Sequence, residues 1–247
     1  MKHWVVSLFF TFQLIAAQAQ QPSNLHETFH RLLQKNVAVD GRVNYRAFLR
    51  DSSELNRYLR LLSKNPPDNK KWTPNEQKAY WINAYNAFTI QLILKHYPIK
   101  SIKDIGSLIQ IPFVNTPWAH KFFWIGSEKM SLDQIEHGIL RKQFKDPRIH
   151  MALVCASKSC PKLLNEAYEA KRLNEQLDEQ AKAFLLDPNR NKISPEKAEI
   201  SKIFSWYSGD FEENGASVKS FIERHSGKKL KPKVKISYLD YDWSLNE

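Results

Sequence analysis

The stretch that decides the fold runs from Trp72 to Pro98 and reads WTPNEQKAYWINAYNAFTIQLILKHYP. Thr73 and Glu76 have the spacing of a capping box, and Pro74 takes the first helical position, where its missing N–H costs no hydrogen bond. Between Ala79 and Leu94, apolar side chains occur on every side of the expected helix. This pattern is typical of an element surrounded by the rest of a domain. The sequence therefore predicts a long, buried central helix.

Two amides interrupt this apolar surface. Asn83 and Asn86 are three residues apart, so they lie on the same face of the helix. A buried amide without partners costs about 1–3 kcal/mol, so each must be hydrogen-bonded inside the protein or line a binding site. Because most buried polar groups are simply hydrogen-bonded, a structural role is the favoured interpretation.

The N-terminal residues 1–19 predict a signal peptide. Lys2 precedes an apolar run from Trp4 to Ala17, and Ala17-Gln18-Ala19 fits the small-x-small cleavage rule. The run is too short to span a membrane, and no later stretch is long enough. We therefore expect a mature chain of residues 20–247, forming one monomeric domain that is exported to a periplasm or outside the cell.

Composition and charge are those of a globular, basic protein. The net charge is +11, and it falls to +10 when Lys2 is removed with the signal peptide. Such a charge favours polyanionic surroundings, but no nucleic-acid-binding motif is present, so we expect no nucleic-acid partner. Five lysines between Lys228 and Lys235 are interpreted as a solvated loop and a protected edge strand, with an anion-binding patch as the alternative.

Hydrophobic periodicity predicts the remaining elements. Helices are expected over Leu25–Lys35, Asp51–Lys64, Ser131–Phe144, Tyr168–Leu186 and Ala216–His225. Strands or hairpins are expected at Val37–Tyr45, Lys121–Ile125, Ile149–Cys155, Lys192–Ser194 with Glu199–Ser201, and Val234–Leu239. Residues 101–116 form either a short helix or a loop. The predicted fold class is α+β, a helix-rich single domain with a small antiparallel sheet packed on the central helix.

The helix that begins at Ser131 carries the first candidate for chemistry. With residues placed every 100°, Glu136 falls near the centre of an apolar arc, and His137 lies at its margin. A buried carboxylate must be neutralised or find cations or hydrogen-bond donors. The candidate partners of Glu136 are Asn83, Asn86, Arg148 and His150. A functional and a purely structural role for Glu136 are both open.

The two cysteines, Cys155 and Cys160, carry the second candidate. In a regular strand Cys155 and His150 would face opposite ways. Cys160 precedes Pro161, and if a helix starts there the helix end would lower the pKa of the Cys160 thiol. Three fates are open, namely a Cys155–Cys160 disulfide, a catalytic Cys160 and two inert thiols. The spacing matches no standard zinc motif, so neither a metal nor a cofactor is predicted.

Four motifs together resemble the family called domain of unknown function 547. They are Tyr80–Ala87, Ser131–His137, Asp146–Pro161 and Tyr241–Asn246. The motifs occur in the family's order and span most of the expected mature chain. The resemblance implies a fold, but it implies neither an activity nor catalytic residues. Plant members of the family can carry serine at positions like those of Cys155 and Cys160. The resemblance therefore does not imply a shared disulfide or a shared thiol nucleophile.

Two functional hypotheses follow from these residues. In the first, the chain is a cell-envelope hydrolase or acyl transferase acting on peptide-like amides. Cys160 is then the nucleophile, His137 or His150 the base and Glu136 the orienting group, while Asn83, Asn86, Arg148 and Ser159 bind substrate. In the second, the same polar residues line a non-catalytic site for a small-molecule or peptide-like envelope ligand, and the cysteines form a disulfide. A purely scaffolding role is a third interpretation.

Overall fold

The computed structural model describes residues 22–106 and 116–247. The α-helices are α1 (Pro22–Leu25), α2 (Glu27–Asn36), α3 (Tyr45–Arg50), α4 (Ser52–Lys64), α5 (Pro74–His96), α6 (Leu173–Leu186), α7 (Ile203–Trp206), α8 (Ser208–Phe211) and α9 (Val218–Ser226). A π-helix spans Gln134–Phe144, and 3₁₀-helices span Ile102–Asp104, Pro147–Met151 and Glu213–Gly215. The strands are β1 (Phe123–Ile125), β2 (Glu128–Met130), β3 (Lys192–Ile193), β4 (Lys197–Ile200) and β5 (Lys235–Tyr238).

Helix α5 is the predicted central helix. The Thr73 hydroxyl accepts a hydrogen bond from the Glu76 N–H, and the Glu76 carboxylate accepts one from the Thr73 N–H, so the capping box is present. Every residue from Lys78 to Ile90 is buried. The prediction of a helix surrounded by the domain is confirmed.

The predicted small antiparallel sheet on α5 is the β1–β2 hairpin. Phe123 pairs with Met130 across the hairpin, and the ring of Phe123 stacks on Phe88 of α5 with the centroids 3.8 Å apart. Together with the high helix content, this hairpin confirms the α+β class. A hydrophobic cluster around α5 includes residues from α2, α3, α4 and the hairpin.

A second sheet has the order β3-β4-β5. Strands β3 and β4 form the expected antiparallel hairpin, whereas β5 pairs with β4 in parallel, with Lys197 opposite Lys235. This sheet is therefore mixed, and β5 is an edge strand with Lys235 exposed, in agreement with the interpretation of the lysine-rich segment. A second hydrophobic cluster surrounds Phe204, Phe211 and Ile222 beside this sheet.

The prediction of a strand after the π-helix is wrong, and the condition under which Cys160 would be a helix N-cap is not met. Ile149–Cys155 is not a strand, because Asp146 caps a 3₁₀-helix that has Pro147 at its start and covers Pro147–Met151. No helix begins at Pro161 either, so Cys160 is not a helix N-cap. The next helix, α6, starts at Leu173 rather than at Tyr168, and irregular backbone precedes it.

The amides of α5 hold this irregular backbone in place. The Asn86 side chain donates to the Ala152 carbonyl at 2.9 Å and accepts from the Val154 N–H at 3.0 Å. Asn83 makes the same pair of bonds with the carbonyl and N–H of Tyr168, at 2.8 and 2.9 Å. The structural role favoured for both residues is confirmed, since a packed amide can replace the partners that a strand or helix would offer.

The helices α2, α4 and α9 and the β3–β4 hairpin fall close to their expected positions, whereas α3, α7 and α8 were not predicted. The turn at Asp40-Gly41 is bracketed by the Val37–Val43 bridge, and Gly41 has φ +89° with a Cβ position only 2.3 Å from Cβ of Lys162, which excludes any larger residue. The predicted signal peptide and residues 107–115 lie outside the described residues. Within residues 22–106 and 116–247, no helix has the length and apolar character needed to cross a bilayer.

Candidate functional site

The site is a cleft of about 510 Å³ where the two hydrophobic clusters meet. Its volume is in the range of small-ligand sites. It is lined by Tyr85, Thr116, Trp118, Asp133, Glu136, His137, Arg141, His150, Leu153, Cys155, Cys160, Ile203, Trp206, Tyr207, Tyr241 and Trp243. One wall is therefore charged, and the other is aromatic.

The π-helix supplies the charged wall. In an α-helix, Arg141 would point about 140° away from Glu136, five residues earlier. A π-helix bonds residue i to residue i+5, so these two side chains come to the same face. The capping box between Ser131 and Gln134 starts this segment as predicted. Its unusual winding brings Glu136, His137 and Arg141 into one cleft.

Asp210 of α8 binds two side chains of this wall, Arg141 and His150. Arg141 donates to both carboxylate oxygens of Asp210, with N–O distances of 2.6 and 2.7 Å. Nε2 of His150 lies 2.7 Å from Asp210 Oδ2, and because a carboxylate accepts only, His150 donates from Nε2. Burial alone would raise the pKa of Asp210, but the hydrogen bonds from Arg141 and His150 outweigh it and hold the pKa well below its usual value.

Glu136 lies at the buried end of the cleft, with 8% of its side chain exposed. The prediction that this carboxylate is buried is confirmed. Nδ1 of His150 is 3.9 Å from Glu136 Oε1, and the hydroxyls of Tyr85 and Tyr207 lie within the electrostatic influence of the same carboxylate. Burial first, and then the charge of Glu136, raises the pKa of both tyrosines well above the ordinary value, so both remain hydrogen-bond donors.

His137 has a defined tautomer at the margin of the cleft. Nη1 of Arg141 lies 3.1 Å from Nδ1 of His137. Since a guanidinium only donates, Nδ1 accepts, and the ring proton is on Nε2, which faces Asp133 Oδ1 at 3.7 Å. Burial raises the pKa of Asp133, His137 counteracts this rise, and the Glu136 carboxylate adds to it.

The aromatic wall is built mostly from the C-terminal residues. Trp206, Tyr241 and Trp243 form a cluster with ring centroids 4.6–5.7 Å apart, and Trp118 contacts Trp243 edge-on at 5.8 Å. Tyr207 stacks on the imidazole of His150 at 3.9 Å, so the aromatic and charged walls touch.

A disulfide between Cys155 and Cys160 forms part of the cleft wall, with the Cα atoms 6.2 Å apart. The strand that was expected to separate His150 from Cys155 is absent, and both residues line the cleft. The hydroxyl of Tyr241 lies 3.2 Å from the sulfur of Cys160 and 3.3 Å from that of Cys155.

The proposed catalytic residues Cys160, His137, His150 and Glu136 all line this cleft, whereas the proposed binding residues do not. Both bonding groups of the Asn83 and Asn86 amides contact the backbone, as described above. Arg148 binds Asp146 and Asp178, and the Ser159 hydroxyl accepts from the Asp242 N–H at 2.8 Å.

The sequence did not identify Asp210, Arg141, Tyr207 or the tryptophans of the aromatic wall as site residues. Asp210 lies in a four-residue helix that has no periodic pattern to reveal its direction. Tyr241 and Trp243 belong to a motif that had been noticed for its resemblance, but no residue pattern predicted that it faces the π-helix. Among the described residues, no group of three or more His, Cys, Asp or Glu side chains is arranged to hold a metal ion.

Part of the chain matches a known protein family. Residues 69–185 match the family described as Protein of unknown function, DUF547. The chain contains a DUF547 domain. Searches of curated proteins and of solved structures found no match. The matched segment carries the charged wall and the disulfide, while Asp210 and most of the aromatic wall come from residues after it.

Proposed function

We propose that this protein is an exported cell-envelope protein whose DUF547 cleft binds a small cationic ligand, such as an amine or the basic part of an envelope peptide. The observation that carries the proposal is a ligand-sized cleft that combines a buried carboxylate with aromatic rings. With both cysteine sulfurs bonded to each other, the cleft holds no free thiol, which favours a binding module over a thiol enzyme.

The charges in the cleft favour a cation. Arg141 and Asp210 neutralise each other through two hydrogen bonds. Asp133 and Glu136 remain, and in the described part of the chain neither has a Lys or Arg partner within 4 Å. A basic protein of net charge +11 thus keeps two carboxylates without a fixed cation in one cleft. A bound cation compensates their charge, and the compensation is strongest at the buried Glu136.

The aromatic wall suits the same ligand. Faces of Trp and Tyr attract ammonium groups, and a desolvated contact of this kind contributes about 2 kcal/mol. Lys103 already lies over the ring of Trp243 at 5.1 Å, which shows that this ring accepts a cation. Rings on one side and carboxylates on the other define a site for an organic cation with an apolar body.

The test compares cations with neutral molecules of the same shape. Choline and N-acetyl-lysine amide are titrated against 3,3-dimethylbutan-1-ol and N-acetyl-norleucine amide by calorimetry, with tryptophan fluorescence as the second readout. We expect at least one cation to bind about tenfold more tightly than its isostere, or better. If neither cation exceeds its isostere up to the solubility limit, the cation proposal is wrong.

Export has its own test. The protein is expressed with its native N-terminus in a bacterial host, and the N-terminal sequence of the exported form is determined. We expect it to begin at Gln20, since the signal peptide is predicted to end at Ala19. An unprocessed chain that stays in the cytoplasmic fraction would contradict this part of the proposal.

A thiol-dependent hydrolase or acyl transferase acting on peptide-like amides is the second candidate. It is favoured by one observation, the presence of Cys160, His150, His137 and Glu136 in one cleft. Its nucleophile exists only after the disulfide is reduced. Activity on peptide amides that appears with a reductant and is lost in Cys160→Ser supports this candidate, whereas an inactive protein with two free thiols excludes it.

A further inference from the structure

The surroundings of the two disulfide sulfurs are unequal. The backbone N–H of Cys155 donates to the sulfur of Cys160 at 2.9 Å, and the Tyr241 hydroxyl lies 3.2 Å from the same atom. The sulfur of Cys155 has the hydroxyls of Ser157 and Tyr241 at 3.2 and 3.3 Å, and within residues 22–106 and 116–247 no backbone N–H donates to it. Donors around a sulfur stabilise it as a thiolate and make it the better leaving group.

We propose that the Cys155–Cys160 disulfide undergoes exchange with thiols that enter the cleft, by attack on Cys155 and departure of Cys160 as the thiolate. The proposal is independent of cation binding, because it concerns the cleft wall and not its occupant. It adds a redox activity to a site for which a binding role is proposed.

Accessibility favours the same direction of attack. Cys155 is partly exposed and lines the cleft, whereas 2% of Cys160 is exposed. An incoming thiolate must approach along the S–S axis from the side opposite the leaving sulfur. Because Cys155 is the more exposed of the two residues, we expect the thiolate to reach the sulfur of Cys155 more easily than that of Cys160.

The donors that receive the leaving sulfur are already in place. Burial raises the pKa of the Tyr241 hydroxyl, so it keeps its proton and can donate. Ser157 donates to Tyr241 at 3.2 Å, which frees the Tyr241 proton to point at a sulfur. Arg190 holds the Cys160 carbonyl at 2.6 Å and the Lys158 carbonyl at 2.9 Å, placing a fixed positive charge beside the Cys160 backbone. These contacts are present before the S–S bond breaks.

The exchange balances as two thiol–disulfide steps. A thiolate RS⁻ forms a bond to the Cys155 sulfur, the S–S bond breaks, and Cys160 leaves as a thiolate. A second RS⁻ attacks the sulfur of R in the mixed disulfide, which yields RSSR and the Cys155 thiolate. Both cysteine thiolates then take up protons from solvent. Two thiols are oxidised, the protein disulfide is reduced by two electrons, and Cys160 becomes a free thiol in the cleft.

The first test maps the site of attack. Folded protein is incubated with glutathione, the reaction is stopped with excess N-ethylmaleimide, and the modified peptides are identified by mass spectrometry. We expect glutathione on Cys155 and maleimide on Cys160. Glutathione found mainly on Cys160, an equal distribution, or reduction seen only after unfolding overturns the proposal.

The second test removes one donor. Tyr241→Phe keeps the ring that packs on Trp206 and Trp243 but loses the hydroxyl. We expect the rate of opening by dithiothreitol to fall about three- to tenfold, as for the loss of a hydrogen bond to a developing charge. Tyr238→Phe, at a 45% exposed position, is the matched control and should react at the wild-type rate. An unchanged rate in Tyr241→Phe contradicts the role of this donor. Both tests measure opening of the disulfide and not affinity for a cation, and dithiothreitol carries no cationic group, so failure of the cation proposal does not affect the second result.

Discussion

Two carboxylates with little exposed side chain, Asp146 and Glu136, have opposite surroundings. Asp146, just after the π-helix, is bound by Lys78 and Arg148, each with an N–O distance of 2.8 Å. Glu136, within the π-helix, faces tyrosine hydroxyls and an imidazole nitrogen at 3.9 Å. Their side chains are almost equally hidden, at 11% and 8% exposed. Burial alone therefore does not tell a structural carboxylate from a functional one.

Asp146 and Glu136 differ in whether the protein itself supplies a counter-charge for the carboxylate. Burial works to raise the pKa of Asp146, but the bonds from Arg148 and the charge of Lys78 outweigh it and lower the pKa to about 2. This cluster is complete without a ligand. Glu136 has donors but no fixed cation in the described part of the chain, and it faces a cleft. A buried carboxylate that has no permanent counter-charge therefore marks the candidate site.

We expect the largest effect when the ion-pair cluster of Asp146, Lys78 and Arg148 is broken, and the effect is on folding stability. Asp146→Asn leaves Lys78 with 10% exposure and without its carboxylate, and removing one partner of a buried ion pair costs about 3–5 kcal/mol. Urea unfolding measures this loss. Asp240→Asn breaks a pair whose carboxylate is fully exposed, and we expect no measurable loss of stability. Equal losses in the two variants would mean that the Asp146 cluster is not a structural anchor.

The next effect is an acid-dependent loss of stability. The pKa of Asp146 is lower in the folded protein, about 2 against 3.8, so its contribution is fully present above pH 3.8 and is lost as the pH falls toward 2. The shift corresponds to about 2 kcal/mol. The stability difference between wild type and Asp146→Asn, measured by urea unfolding from pH 6 downward, should shrink by this amount. If the stability difference between wild type and Asp146→Asn does not change with pH, the pKa of Asp146 is not lowered in the folded protein.

The smallest effect on stability is expected at Glu136. Glu136→Gln removes a buried charge that has no fixed cation, so we expect unfolding free energy to change by less than about 1 kcal/mol, or to rise. Affinity for the cation that binds the wild type should fall about tenfold. Calorimetry and urea unfolding on the same sample separate the two effects, and Glu54→Gln, at an exposed position, is the control. A stability loss as large as that of Asp146→Asn would make Glu136 structural as well.

Local signals in the sequence predicted much of the fold. The Thr73–Glu76 capping box and the apolar residues that follow it predicted α5, because capping and burial depend on neighbours within a few residues. The same reasoning placed Glu136 in the interior. The predicted strand at Ile149–Cys155 failed because Asp146 and Pro147 start a 3₁₀-helix, and because the Asn86 amide holds the backbone that follows.

The candidate site was predicted in its residues but not in its assembly. Glu136, His137, His150 and Cys160 were identified by chemistry, while Arg148 and Ser159, identified in the same way, bind elsewhere. Arg141 was missed because only the π-helix turns it toward Glu136, and Asp210 because its contact with His150 joins residues 60 positions apart. Sequence periodicity carries no information on either.

Sequence alone determined the approximate positions of the longer helices α2, α4, α5, α6 and α9, that the central helix is buried, and that one carboxylate of the segment after Ser131 is taken out of water. These properties follow from side-chain spacing and local hydrogen bonds. The tertiary structure decided that Cys155 and Cys160 are joined, that Asp210 pairs with Arg141 and His150, and that the C-terminal tryptophans face Glu136. These contacts join residues distant in the chain, and their energies depend on positions that local spacing does not specify.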